Sequence, residues 1–166
     1  GIDDRGRPYF TMTRLRGDAL SDLLQQRRTD RDVRDRLTTG RLLRVFLQVG
    51  YAVAFAHRHG VLHRDLKPDN IYILNSGGVK VLDFGVAKDL DSLSRTRPAA
   101  LAGKTAYLSP EQVRQLPDLD LRTDIYSLGA TIYHLITGKH PFQGATPMEV
   151  LLKHMNEKLI PPVDRN

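Results

Sequence analysis

Apolar residues recur at three- and four-residue steps from position 39 to position 58: Leu42, Leu43, Phe46, Val49, Val53 and Ala56. That period winds onto one face of an α-helix, so the segment predicts a helix with a core-facing stripe, stopped by Gly60. A second helix is predicted over 123–137, with Ile125, Leu128, Ile132, Leu135 and Ile136 as its apolar positions. Gly138 ends it and Pro141 forbids its continuation. Thr146-Pro147 opens a third helix, with proline at the first helical position, running to about Asn156. The pattern changes to β-rich runs at 71–74 and 79–82, joined by Asn75-Ser76-Gly77-Gly78, which predicts a hairpin. Residues 8–15 also read as a short strand by their aromatic and β-branched content, broken by Gly17. Asp18 or Ser21 is then placed to cap a short helix through about Arg27. Residues 89–107 hold no sustained period and read as a long functional loop.

Composition narrows the class without changing these elements. The chain has 166 residues, 40% hydrophobic and 27% charged, which suits a single globular domain with a real core. The absence of cysteine excludes a disulfide scaffold, thiolate zinc and a cysteine nucleophile, and fits a reducing compartment. No apolar run is long enough to span a membrane. The net charge of +6 is unevenly spread: residues 1–60 hold 12 Arg, no Lys and 7 Asp. The excess lies between Arg27 and Arg44, where signs alternate through Asp30, Arg31, Asp32, Arg34, Asp35 and Arg36. Mixed charge of this kind reads as a solvated helix end or loop. It lacks interleaved aromatics and any binding motif, so no nucleic-acid partner is expected.

Three motifs carry chemistry. Residues 63–70 read His-Arg-Asp-Leu-Lys-Pro-Asp-Asn, Asp83-Phe84-Gly85 follows the hairpin, and Ser109-Pro110-Glu111 comes later. In this order and context the chain resembles the large, C-terminal lobe of bacterial-type serine/threonine protein kinases. The resemblance implies an α+β, mainly α, protein-kinase-like large lobe with a small β-hairpin. It also implies transfer of the ATP γ-phosphoryl group to a Ser or Thr hydroxyl of a protein substrate, with Mg2+. The residues suit that chemistry. Phosphoryl transfer needs a carboxylate to orient the attacking hydroxyl and cations to spread charge off the moving group. Asp65 suits the base. Asn70 and Asp83 are hard oxygen ligands of the kind magnesium accepts beside phosphate and water. Lys67 supplies a compact positive charge for the γ-phosphate.

By the same resemblance, His63 and Phe84 pack in a structural column anchored by Asp124, and Glu111 is structural. Residues before Gly17 resemble the hinge: Met12 as gatekeeper, the carbonyl of Thr13 and the N–H of Leu15 on the adenine edge, and Tyr72 beneath the ring. Arg64, beside Asp65, is a ready partner for a phosphorylated loop residue. Ser92, Ser94 and Thr96 are the loop hydroxyls available, with Thr96, between two arginines, the preferred one.

The chain departs from the family pattern in places. It holds no Gly-rich phosphate loop, no strand Lys for the α- and β-phosphates and no helix Glu to pair with that Lys. The expected division is therefore 1–17 as the last small-lobe strand and hinge, and 18–166 as the kinase C-terminal lobe, truncated before its final helices. The small lobe is largely absent, and the chain alone is expected to be inactive. Lys104 stands where a Thr is usual. A cytoplasmic location is expected, with any membrane anchor of the parent lying outside this chain. The rival reading is a non-catalytic, pseudokinase-like interaction module; against it, Asp65, Lys67, Asn70 and Asp83 are all present.

Overall fold

A computed structural model describes residues 1–9, 11, 13–84, 103 and 105–165. Strand β1 (Gly17–Ala19) leads directly into helix α1 (Leu20–Thr29), followed by α2 (Arg31–Arg36) and the long α3 (Thr39–Arg58). A 3-10 turn at Pro68–Asn70 feeds strands β2 (Ile71–Leu74) and β3 (Val79–Val81). The short helix α4 (Pro110–Val113), then α5 (Leu121–Thr137) and α6 (Pro147–Asn156) complete the helical body.

The three strands form one antiparallel sheet in the order β1-β2-β3. β2 and β3 are the hairpin read from the sequence, with Gly77 at φ 88° in its turn. The strand expected over 8–15 is not there among the described residues. Pro8 makes only an isolated bridge to Ile2, and the strand is Gly17–Ala19, paired with Tyr72–Leu74. A β-rich composition makes a strand only where a free edge is in reach, and the edge of β2 meets the segment three residues before α1. Gly17 therefore does not break a strand but starts one. Its φ is 153°, and an added Cβ would run into the Ile73 carbonyl and lie 2.8 Å from Leu74 Cα. The cap expected at Asp18 or Ser21 is also absent: Ala19 precedes α1 with no side-chain cap, and Asp18 is committed to β1 opposite Ile73.

The core lies where α1, α3 and the sheet meet. Leu20, Leu24, Val45, Val49, Val53, Leu66 and Ile71 belong to one buried cluster. Each such side chain contributes about 1.5–3 kcal/mol by leaving water. α3 forms over the expected span, capped by Thr38, whose hydroxyl accepts from the Arg41 N–H. Its buried stripe is Leu42, Val45, Val49 and Val53, so Val45 takes the place expected for Leu43, which is exposed.

α5 departs further. It ends where expected, with Gly138 left-handed, but starts two residues earlier, at Leu121 after the N-cap Asp120. Its buried positions, however, include Thr123, Asp124, Ser127 and Thr131, while Ile125 and Ile136 are exposed. Neighbouring segments bring polar groups that need partners, and this face supplies them. Ser127 Oγ donates to the Tyr107 carbonyl at 2.8 Å, and Thr123 Oγ1 donates to Glu111 Oε1 at 2.8 Å. No helix of the described residues is long and apolar enough to cross a membrane.

α6 is capped by Thr146 and docks on α5 through His154, which hydrogen-bonds Tyr126 at 2.7 Å and meets Phe142 edge-on at 4.9 Å. Burial pushes His154 down to about 4, and burial, with His140 and Arg28 nearby, does the same to His134. The unfolded chain then takes up protons below the ordinary histidine value of 6.5, which the folded one refuses until about pH 4. Stability should be full above pH 6.5 and fall as pH drops towards 4. Urea titrations across that range should show the slope, and His154→Gln should reduce it. A second pair of variants tests the backbone. Gly17→Ala should cost at least about 1 kcal/mol, since neither its φ nor its space admits a methyl. Gly50→Ala, in open space within α3, should add about 0.5–1 kcal/mol, read by the same urea midpoints.

Candidate active site

The segment after α3 would be an irregular loop but for one carboxylate from α5. Asp124 is buried at the first turn of that helix, and its two oxygens accept from consecutive backbone N–H groups. Oδ2 takes that of His63 and Oδ1 that of Arg64, each at 2.8 Å. Arg64 sits at φ 64°, a conformation costing about 1–3 kcal/mol for a residue with a Cβ. Clamping its own N–H and that of His63 before it holds it there. The Arg64 carbonyl is held as well, by Gln112 Nε2 of α4 at 2.7 Å. His57, on the last turn of α3, completes the Asp124 environment with Nε2 at 2.8 Å from Oδ2.

His63 passes this order on. Its Nε2–H donates to the Leu82 carbonyl at 2.8 Å, and Nδ1 accepts from the Asp65 N–H at 3.3 Å. This fixes the neutral tautomer with both nitrogens engaged. Burial also pushes the imidazole below its usual value, so the ring is a structural strut and not a proton carrier. Phe84 packs against it at 4.7 Å.

Asp65, Lys67 and Asn70 are brought together. Asn70 donates its amide to the Asp65 carbonyl at 2.7 Å and to Asp65 Oδ2 at 3.0 Å. Lys67 Nζ lies 3.5 Å from Asp65 Oδ2, with Lys67 and Asn70 both buried. The Leu82 N–H donates to the Asn70 carbonyl at 2.8 Å, which ties the end of β3 to the same turn. Asp83 follows at φ 60°, exposed. The bonds thus close a ring: His63 to Asp65, Asp65 to Asn70, Asn70 to Leu82, Leu82 to His63. Asp83 leaves the ring one residue beyond Leu82.

Other expected positions are placed less fully. Tyr72 is half-buried on β2, opposite Ala19 of β1. Thr13 is exposed and Leu15 half-buried, in the irregular approach to β1. Arg64 presents an exposed side chain. Met12, Gly85, Ser92, Ser94, Thr96 and Lys104 lie outside the described residues. Two residues that hold the site were not anticipated from sequence: His57 and Gln112. For His57 the sequence carries no signal. Gln112 did carry one, because Ser109-Pro110-Glu111-Gln112 is a capping box, and both of its reciprocal bonds are present.

Asp124→Ala should leave two buried backbone donors without an acceptor. A hydrogen bond to a charged group contributes about 1.5–3 kcal/mol, so the loss should be at least about 3 kcal/mol. Urea denaturation measures it, and amide hydrogen exchange at His63 and Arg64 should accelerate before that of α3.

Comparison with known proteins places this geometry. Residues 2–164 match the family described as protein kinase domain. The chain is 41% identical over 164 residues to a probable serine/threonine-protein kinase PknB of Corynebacterium glutamicum, covering 98% of this chain and 24% of that protein. It is 39% identical over 161 residues to the serine/threonine-protein kinase PknB of Mycolicibacterium smegmatis, covering 96% and 24%. Against a probable serine/threonine-protein kinase of Clostridium perfringens it is 37% identical over 158 residues, covering 95% and 22%. The chain thus spans about a quarter of the length of the curated relatives it matches.

Proposed function

This chain belongs to the protein kinase family, and on that premise we propose that it forms the large lobe of a bacterial serine/threonine protein kinase, transferring the γ-phosphoryl group of ATP to a Ser or Thr hydroxyl. The observation that carries the reading is the Asp65–Lys67–Asn70 cluster, held rigid by the ring through His63 and Leu82. In this reading 1–17 is the hinge side and 18–166 the large lobe.

Asp65 orients the acceptor hydroxyl and receives its proton. Its Oδ2 is steered by the Asn70 amide and faced by Lys67, so the carboxylate is positioned before any substrate arrives. Lys67, buried beside it, is the positive charge for the transferring group. The donor set suits magnesium. The Asn70 amide turns its N–H groups to Asp65, and among the described residues Asn70 Oδ1 has no partner and Asp83 accepts no hydrogen bond. Two hard oxygens are thereby left to a cation, whose role when bound is to neutralise charge on the phosphates. For the nucleotide base, Tyr72 offers a half-buried ring beside β1, and Thr13 and Leu15 offer backbone groups, with Met12 as the gatekeeper. Arg64 and Thr96 are proposed as the two ends of a phosphorylation switch.

A non-catalytic scaffold is not favoured, since Asp65, Lys67, Asn70 and Asp83 are all kept here. Phosphate transfer to a generic Ser/Thr protein by the full-length protein tests the reading. Asp65→Asn should reduce the rate by about 10²–10⁴-fold, the usual contribution of a positioned base. Undiminished transfer by that variant would remove Asp65 from the mechanism.

A further inference from the structure

The arginine-rich stretch beside α1 and α2 has no part in the site above, and its placement is not that of a merely solvated segment. It lines a cleft of about 690 Å³ whose opposite wall includes Pro68 and Asp69, the residues between Lys67 and Asn70. Arg27 and Arg28 of α1, Arg34 of α2 and Lys139 after α5 all face this space, against one carboxylate among the described residues, Asp69. The signs that alternate along the sequence therefore separate in space. Asp30 is turned to the N-terminus of α2, where it accepts from the Asp32 and Val33 N–H groups, and neither Asp32 nor Asp35 lines the cleft.

None of the four cations has a carboxylate partner among the described residues. Three of them are held by neutral carbonyls instead. Arg28 donates to Gly138 at 3.0 Å, Arg34 to Arg27 and Arg28 at 3.3 Å each, and Lys139 to Arg165 at 3.3 Å. Arg27 Nε is buried with no hydrogen-bond partner among the described residues. Carbonyl contacts orient guanidinium groups without neutralising them. His134 and His140 border the same cleft, and burial above all pushes both below the ordinary histidine value, with His140 and Arg28 adding to this at His134 and Arg28, opposed by Asp69, at His140. A preformed concavity with excess, unneutralised positive charge, a few residues from the proposed base, is complementary to an anionic group on whatever polypeptide presents the hydroxyl.

We propose that this cleft receives an acidic side chain of the protein substrate, so that acceptor Ser or Thr residues flanked by Asp or Glu are selected. The inference rests on the kinase reading, and the experiment keeps the two separable. Peptides carrying one Ser acceptor, with Glu, Gln or Lys placed in turn at each of the four positions on either side, are assayed with the full-length protein. Their binding to the Asp65→Asn form is measured in parallel by fluorescence anisotropy. At one or more positions Glu should exceed Lys by about tenfold in kcat/KM and in affinity, the sum of several partly exposed ion pairs. The preference should shrink at 0.5 M salt, where the screening length falls well below 10 Å. Arg28→Glu combined with Arg34→Glu should transfer the advantage to the Lys peptide, a gain that misfolding cannot produce. Transfer that is indifferent to flanking charge, or that favours Lys, overturns the cleft while leaving the kinase reading intact. Selective binding of Glu peptides without any transfer supports the cleft and overturns the kinase reading instead.

Discussion

Everything at the candidate site depends on a carboxylate that touches no proposed substrate. Asp124 accepts from two successive backbone N–H groups, one of them belonging to a residue at φ 64°. Without it, the turn at Arg64 would relax towards the ordinary regions of backbone space, and His63 would lose the anchor that aims its ring. With it, His63 reaches in two directions at once, to the Asp65 N–H and to the Leu82 carbonyl. A helix that starts 56 residues after Asp65 thereby sets the position of that side chain. The bond comes from the first turn of α5, where a carboxylate also faces the positive end of the helix dipole, so helix and loop are stabilised by the same charge.

The ring of bonds has a chemical consequence as well as a mechanical one. The buried donors in it are matched: imidazole to carbonyl, amide to carboxylate, N–H to carbonyl. In a low-dielectric setting such a network resists rearrangement, because opening one bond leaves a buried group unpaired. The proposed base is thus held by groups that carry no proton of their own to exchange. His63 is neutral and saturated, and Asn70 is an amide. Lys67, the remaining neighbour, contributes charge. Positioning and proton acceptance are separated between residues, which suits a reaction whose catalysis is chiefly orientation and electrostatics.

What could be read from the sequence follows from how local each signal was. α3, α6 and the β2–β3 hairpin rest on periodicity, a proline at the first helical position and a turn, all contained within a few residues, and they form where expected. The motif cluster of Asp65, Lys67 and Asn70 lies within six residues, so its assembly was nearly guaranteed by chain connectivity. The misreadings required a partner. Residues 8–15 have strand composition, but the β2 edge pairs with Gly17–Ala19. The apolar period of α5 marked Ile125 and Ile136, yet burial went to Asp124, Ser127 and Thr123 because their neighbours needed acceptors and donors. His57 acts through a contact across the chain that no local pattern announces, and the capping box that marks Gln112 says nothing of its bond to the Arg64 carbonyl.

The arginine-rich stretch shows the same limit in electrostatic form. Along the chain, Asp30 to Arg36 looks balanced, and charge counted by residue predicts little net field. Folding breaks the balance by giving each sign a different task. Asp30 is consumed as a helix cap, where it meets backbone dipoles, while Arg27, Arg28 and Arg34 turn to a common cleft, where Arg28 and Arg34 meet carbonyls. A carboxylate bound to backbone N–H groups at a helix start is directed away from the guanidinium groups that sequence proximity would pair it with. Net charge at a surface is therefore decided by which polar groups the backbone claims first. Here the backbone claims an acid, and the positive charge left facing the cleft is the consequence.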